Sequence, residues 1–248
     1  MDQRKIGLSV VIPCFNEAEN ILLLLKELKE VFFTSKYNIE VIIVDGCSSD
    51  DTNLLLIEEF RNLDKDIFSL ILMESQKGYG NDILEGLKKA RYEYLCWTHA
   101  DLQTDPNDVI RGLEIIGSHA GGGKQFIKGK RKYRPFFDLL LTYGMQVIVS
   151  FLLKVRLNDI NAQPKIFHRS FYDKFLKDRS PKDFSLDLFA LYEAKINNYE
   201  IISFPVHFKK REFGVAKGGG GSLVNRWNLV KRTFRYIYRL KKDRLDSV

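Results

Sequence analysis

Three stretches of this 248-residue sequence carry side chains whose types and spacing could do chemistry. They read SVVIPCFNEAEN (9–20), VIIVDGCSSDDT (41–52) and YLCWTHADLQTDP (94–106). In each, an apolar run gives way abruptly to oxygen-bearing residues. Asp45, directly behind such a run, can accept hydrogen bonds from a base or a ribose. Asp101 and Gln103 offer two oxygens two residues apart, and in an extended segment both fall on the same side, as a hard cation requires. An Asp-x-Gln pair alone is a weak signal, and its weight comes from following two clusters of the same kind. The three together predict a site for a ligand that brings a metal ion or amide donors.

Such clusters need a scaffold that delivers several strand ends to one edge, and the hydrophobic pattern supplies it. Leu8–Ile12 reads as a buried strand stopped by Pro13, and Glu17–Phe33 as a helix with Asn16 as its cap and acids in its first turn. Ile39–Val44, Ile67–Met73 and Tyr94–Thr98 read as further strands, alternating with helices near Asp51–Leu63 and across Asp82–Arg91. Four strand–helix units in succession predict an α/β fold, a mainly parallel sheet with helices on both faces that binds ligands at the C-terminal strand ends. Gln125–Gly129 is a candidate further strand. Gly78-Tyr79-Gly80 lacks the third glycine of a dinucleotide fingerprint and follows the third strand, which argues against a dehydrogenase.

Composition sets the outer bounds. With 45% apolar and 12% aromatic residues the chain is neither disordered nor collagen-like, and its length suits one domain with a proper core. The net charge of +7 is unevenly spread. Residues 209–248 hold twelve basic residues against three acids, a net +9, and the preceding residues hold 27 against 29, a net −2. A near-neutral body with a cationic end fits a globular machine that meets something anionic at one place. Three cysteines without CxxC spacing argue against a disulfide framework or zinc site. The apolar stretch that follows Met1-Asp2-Gln3-Arg4-Lys5 and stops at Pro13 is too short for a signal segment or a membrane span, so the expected compartment is the cytosol.

Two helical patterns stand outside the strand–helix units. In 136–153, Asp138, Thr142, Gln146 and Ser150 recur every four residues, a narrow polar stripe opposite a wide apolar face. The pattern fits a helix lying in a lipid interface, or a core or dimer-contact helix. In the tail, Leu223, Trp227, Val230, Phe234 and Ile237 alternate with Arg226, Lys231, Arg232, Arg235 and Arg239. That basic amphipathic helix suits anionic headgroups or an acidic partner, or packs on its own domain with a solvated outer face. Gly218–Gly221 before it reads as a loop.

With these residues in place, the sequence resembles the family 2 glycosyltransferases, in the branch of dolichol-phosphate mannose synthase and polyprenyl-phosphate sugar transferases, over about residues 8–217. The resemblance implies a GT-A fold in residues 1–217, with 136–157 as an interface or packing helix and 218–248 as Gly-rich loop and C-terminal helix. It implies inverting, metal-dependent transfer from a nucleotide sugar. Pro13, Asn16, Glu17 and Asp45 would bind the donor nucleotide, with Lys77 and Gly80 flanking it. Asp101 and Gln103 match the family's metal-binding segment, but His99 stands where the family usually has a first Asp. Imidazole favours softer metals than magnesium. Either His99 is a ligand and Mn2+ is preferred over Mg2+, or the ion rests on Asp101, Gln103 and the diphosphate, or His99 only hydrogen-bonds near the base.

On the acceptor side, VRLNDINAQPKIF matches a family segment in which Asp159 aligns with its Asp and Lys165 with its Arg. Arg131 sits where the family has a basic residue. Arg211, Gly214 and Lys217 match a later motif, with Arg211 and Lys217 as phosphate ligands. Asp187 opens a helix where many relatives keep a base candidate, and it also reads as a first-turn acid favoured by the helix dipole. Asp101, Asp187, Arg131 and Lys165 are thus the candidate catalytic set. The reading is a UDP- or GDP-sugar-dependent transferase acting on a polyprenyl phosphate, held peripherally at the inner membrane face, with no nucleic-acid partner. A homo-oligomer or a separate membrane partner is left open. The alternative within the class is transfer to a sugar hydroxyl in surface polysaccharide or lipopolysaccharide assembly. From another class, the alternative is a non-catalytic basic adaptor for membrane or nucleic acid, which would need no acid clusters at strand ends.

Overall fold

The computed structural model describes residues 6–118, 123–132, 147–209, 211 and 231–241. The four predicted strand–helix units are present as β1 (Gly7–Cys14), α1 (Ala18–Phe33), β2 (Asn38–Asp45), α2 (Thr52–Glu59), β3 (Phe68–Leu72), α3 (Tyr79–Lys89), β4 (Tyr94–Trp97) and α4 (Pro106–Ser118). Beyond them come β5 (Gln125–Lys132), a helical stretch α5 (147–153), β6 (Lys165–His168) and a short α6 (Arg169–Phe171) running into a π-helical turn (Tyr172–Leu176). Then follow α7 (Leu186–Ile196), β7 (Glu200–His207) and a helical stretch α8 (231–241).

The seven strands form one sheet in the order β3-β2-β1-β4-β6-β5-β7. Only β6 runs against the rest, pairing antiparallel with both β4 and β5. Because β6 is reversed, its first residue, Lys165, lies opposite Trp97 at the last position of β4. One edge of the sheet therefore collects the C-terminal ends of six strands and the N-terminal end of the seventh. Order reverses between β1 and β4, the kind of switch point at which open α/β sheets bind ligands.

Alternation along the strands sends side chains to two cores. Val11, Ile42, Leu95, Trp97, Phe126 and Phe167 face α3 and α7, while Val10, Ile12, Val41, Ile43, Cys96 and Ile166 face α1 and α4. Phe126 and Phe167 stack at 5.6 Å between centroids, and Phe171 meets Phe167 edge-on at 5.2 Å. Burying each such ring contributes roughly 1.5–3 kcal/mol, which fixes the β5–β6 end of the sheet.

Two local expectations are corrected. Pro13 does not stop β1, which runs on to Cys14 in register with Asp45. Proline is tolerated there because β4 has already left the ladder at Trp97, opposite Val11. Asn16 is not the cap of α1. Glu17 holds that position without a side-chain cap bond, and Asn16, at φ 52°, turns its side chain to another loop.

Candidate active site

The first two clusters are laced together at the sheet edge. Asn16 Oδ1 accepts from Ser49 N at 2.7 Å, and Asn16 N donates to Ser48 Oγ at 2.8 Å. Ser48 Oγ in turn donates to Asp45 Oδ1 at 2.5 Å, and Ser48 N to Asp45 Oδ2 at 3.1 Å. Glu17 N donates to Thr52 Oγ1 at 2.8 Å. The Ser-Ser-Asp-Asp-Thr run thus locks the β1–α1 loop to the β2–α2 loop and orients the buried Asp45.

The third cluster is a bend rather than an extended segment, with Leu102 at φ 58°. It is closed by a hydrogen bond of 3.1 Å between Thr98 Oγ1 and Thr104 Oγ1. Asp101 Oδ1 accepts from Gln103 N at 3.2 Å, and Gln103 Nε2 donates to Lys209 O at 3.0 Å. Lys209 N donates back to Gln103 O at 2.9 Å, which ties the acid segment to the chain leaving β7. Two residues further on, Arg211 Nη2 lies 2.7 Å from both oxygens of Glu17, and its Nη1 lies 3.6 Å from Asp101 Oδ2. Arg211 therefore joins the first cluster to the third.

Beneath this layer is a buried network. Asp187 Oδ1 receives Trp97 Nε1 at 3.1 Å, Gln163 Nε2 at 3.0 Å and Lys165 Nζ at 2.5 Å. The side chains of Lys165 and Asp187 are 0% and 4% exposed. Burial alone would raise the Asp187 carboxyl, but the Lys165 ammonium and the Trp97 donor hold it below the usual carboxylate range. Burial pulls the Lys165 ammonium below its ordinary value, and Asp187 opposes that. Gln163 Nε2 also reaches the Tyr79 hydroxyl at 3.3 Å, and the Tyr79 ring lies 5.9 Å from that of His99. Burial first, then Asp187, pushes the Tyr79 phenol well up. Beside this network Arg131 clasps Asp159, with Nε and the main-chain N at 2.9 and 2.7 Å, and its guanidinium covers the Phe208 ring at 5.4 Å.

The structure thus brings Asn16, Glu17, Asp45, Asp101, Gln103 and Arg211 into one hydrogen-bonded edge, with Pro13 inside β1 behind them. It separates Lys165 and Asp187 from that surface and joins them to each other. Lys165, matched by sequence to a family Arg and placed in the candidate catalytic set, spends its charge on Asp187 because β6 starts under Trp97. Lys77 is exposed on the loop before α3. Gly80 packs so tightly on the 181–183 backbone that a Cβ would fall 2.6 Å from the carbonyls of Pro181 and Asp183. Lys217, Gly214 and the Gly218–Gly221 loop lie outside the described residues. Ser48, Tyr79, Trp97 and Gln163 were given no role from the sequence, although Ser48, Trp97 and Gln163 lie inside the quoted segments and Tyr79 inside Gly78-Tyr79-Gly80.

A divalent ion fits this edge in a particular way. Among the described residues no three His, Cys, Asp or Glu side chains converge as a metal cage. Asp101 Oδ2 meets Arg211 only at 3.6 Å, which leaves lone pairs for a cation that takes its other oxygens from a bound phosphate, the usual habit of Mg2+.

The two amphipathic patterns are described only in part. In α5, Val149 and Leu153 are buried in the core, while Val147, Ile148 and Phe151 are exposed, Phe151 at 81%. In α8, Ile237 and Leu240 join the same core, Arg232 lies over the Phe184 ring at 4.9 Å, and Tyr238 is 73% exposed. Lys231, Arg235, Arg239 and Lys241 are exposed along α8. No helix among the described residues is long and apolar enough to cross a membrane. Residues 136–146 of the first pattern and 223–230 of the second lie outside them.

The sequence model of glycosyl transferase family 2 matches residues 9–176. Polyprenol monophosphomannose synthase of Mycolicibacterium smegmatis is 25% identical over 221 residues, covering 86% of this chain and 82% of that protein. The human dolichyl-phosphate beta-glucosyltransferase is 24% identical over 239 residues, covering 90% and 72%. Among solved structures, glucosyl-3-phosphoglycerate synthase of Mycobacterium tuberculosis with Mn2+, UDP and phosphoglyceric acid superposes with a TM-score of 0.70 at 14% identity, covering 92% of this chain and 76% of that one. A mannosyltransferase of Pyrobaculum calidifontis with GDP-Man and Mn2+ gives 0.65 at 17% identity, covering 96% and 65%. The sheet described above is the GT-A fold of these glycosyltransferases.

Proposed function

Because this chain belongs to glycosyl transferase family 2, we propose that it moves a sugar from a UDP- or GDP-linked donor to a polyprenyl phosphate, with inversion, at the cytoplasmic face of a membrane. The observation that carries the acceptor is the Lys165–Asp187 pair. An alcohol acceptor must lose a proton to a base. Asp187 is buried, accepts three hydrogen bonds and is held ionised below the usual carboxylate range, which makes it a poor base. A phosphate acceptor is already an anion and needs only placement. The two curated relatives act on lipid-linked phosphates by name.

In this reading Asp45, oriented by Ser48, accepts from the base or ribose, and Pro13, Asn16, Glu17, Lys77 and Gly80 line or flank the nucleotide. Asp101, with His99 and Gln103, would hold a Mg2+ or Mn2+ ion, whose charge would neutralise that developing on the leaving diphosphate. Arg211, already between Glu17 and Asp101, adds guanidinium donors to that diphosphate, with Lys217 beside it. Arg131, fixed by Asp159, offers its remaining N–H groups to the acceptor phosphate. The exposed apolar residues of α5 and the basic face of α8 suit a peripheral seat on an anionic bilayer.

The test is a transfer assay with a panel of UDP- and GDP-sugars, Mn2+ or Mg2+, and short polyprenyl phosphates, with product detected by mass. Transfer to the lipid phosphate supports the reading, and transfer only to sugar hydroxyls overturns its acceptor half.

A further inference from the structure

Lys128, in β5, has no place in the reading above. Its side chain lies among the most buried in the protein, 1% exposed, in the segment Phe126-Ile127-Lys128-Gly129 where its strand neighbours are core residues. The β5–β6 register sets it directly opposite Lys165. Its Nζ donates to Gly129 O at 2.9 Å, and among the described residues no carboxylate stands within ion-pair distance of it. The charged groups around it come from every neighbouring element: Lys165 from β6, Arg131 from β5 itself, Asp159 from the loop before β6, and Asp187 from α7. Arg131 is matched to Asp159 and Lys165 to Asp187. Lys128 is the third cation of a cluster that holds two carboxylates.

The cluster lies directly behind the acid edge. Asp187 bonds Trp97, two residues before His99, and Arg131 covers Phe208, which precedes the Lys209 that is bonded to Gln103. An anion arriving at Arg131 would supply the negative charge the cluster lacks. We infer that Lys128 is a positioning residue for the acceptor phosphate, taking up a proton as the phosphate binds and so matching the third cation to a third anion. The inference rests on the reading of the acceptor as a phosphate. Burial first, then the neighbouring Lys165, brings the Lys128 ammonium down to about 7, with Asp159 and Asp187 opposing, so a proton can be gained there near neutral pH. Binding and protonation then favour each other by linkage.

The experiment is calorimetric titration of the full chain with farnesyl phosphate at pH 7.5, in buffers of different ionisation enthalpy. At that pH the ligand is already largely dianionic, so protons taken up come from the protein. Wild type should take up a fraction of a proton. Lys128→Met, which keeps the buried volume, should take up none and bind about tenfold more weakly, the equivalent of a one-unit shift. Lys128→Arg, charged at every pH, should restore binding with no uptake. A wild type that binds without proton uptake overturns the inference, as does equal uptake in wild type and Lys128→Met. Those results leave the acceptor reading standing. If wild type fails to bind farnesyl phosphate while it transfers sugar to a hydroxyl, the acceptor reading falls and takes this inference with it.

Discussion

Arg211 and Glu17, 194 residues apart in sequence, meet with one guanidinium nitrogen 2.7 Å from both carboxylate oxygens. The same guanidinium faces Asp101 from its other nitrogen at 3.6 Å. A lysine lacks the planar fork that presents separate nitrogens to the two acids. Arg211→Lys should therefore lower kcat/KM for transfer about ten- to a hundredfold, ~1.4–3 kcal/mol, the value of a charge-assisted two-sided contact. Initial rates over a range of donor concentrations check this.

The Lys165–Asp187 pair predicts an asymmetric stability pattern. Removing one partner strands a buried charge, so Lys165→Met should cost about 3–5 kcal/mol in urea unfolding. Lys165→Met combined with Asp187→Leu removes both charges and should recover most of that loss. If the double variant were as unstable as the single, the pair would not be the source of the effect.

Asp82, on α3, lies under the residue that follows Asp45, where a Cβ on Gly46 would fall 2.5 Å from Asp82 Oδ2. Its Oδ1 is buried without a hydrogen-bond partner among the described residues. Burial pushes this carboxyl up to about 6, with Asp45 and Glu85 adding to it and Asn81 opposing. The folded chain holds the proton more tightly than the unfolded chain, so stability falls as pH rises from about 4 to about 6 and stays reduced above that. The shift corresponds to ~3 kcal/mol. Asp82→Asn, which cannot ionise, should gain about that much on wild type at pH 8 compared with pH 4, measured by urea midpoints at the two pH values.

His99 beside Asp101 predicts metal preference. Exchange of the imidazole for a carboxylate favours harder cations, so His99→Asp should raise activity with Mg2+ relative to Mn2+. The check is the ratio of rates with the two ions. An unchanged ratio would place His99 away from the ion.

The outer face of α8 predicts salt-sensitive binding to anionic vesicles. Each basic residue near such a surface contributes about 1 kcal/mol, so Arg235→Ala with Arg239→Ala should weaken cosedimentation roughly thirtyfold. Transfer to a water-soluble short prenyl phosphate should be unaffected. Binding that is unchanged by these substitutions would assign α8 to packing alone, through Ile237 and Leu240.

Much of the scaffold was legible because it is local. The alternation of apolar strand runs with amphipathic helices is a property of neighbouring residues, and it located β1 to β4 within a few positions. The acids at the ends of those strands could be placed at one edge once the sheet was known to be parallel. What the residues do there was less legible. Asn16 looks like a helix cap by type, yet Ser49, 33 residues on, claims its side chain. The basic pattern of the tail read as a helix meeting an anionic surface, with packing on its own domain as the alternative, and in 231–241 the structure shows a buried seam at Ile237 and Leu240 with a basic face left outside.

The sequence by itself determined the parallel β/α frame, the position of Asp45 and Asp101 at strand ends, and the charge division between body and tail. Only the tertiary structure decided which charges meet. That depends on the reversed direction of β6, which carries Lys165 beneath Trp97 and onto Asp187 and sets Lys128 opposite Lys165. Strand direction depends on packing and pairing across the whole sheet, and electrostatic partnership follows distance in space. Neither is written in the spacing of residues along the chain.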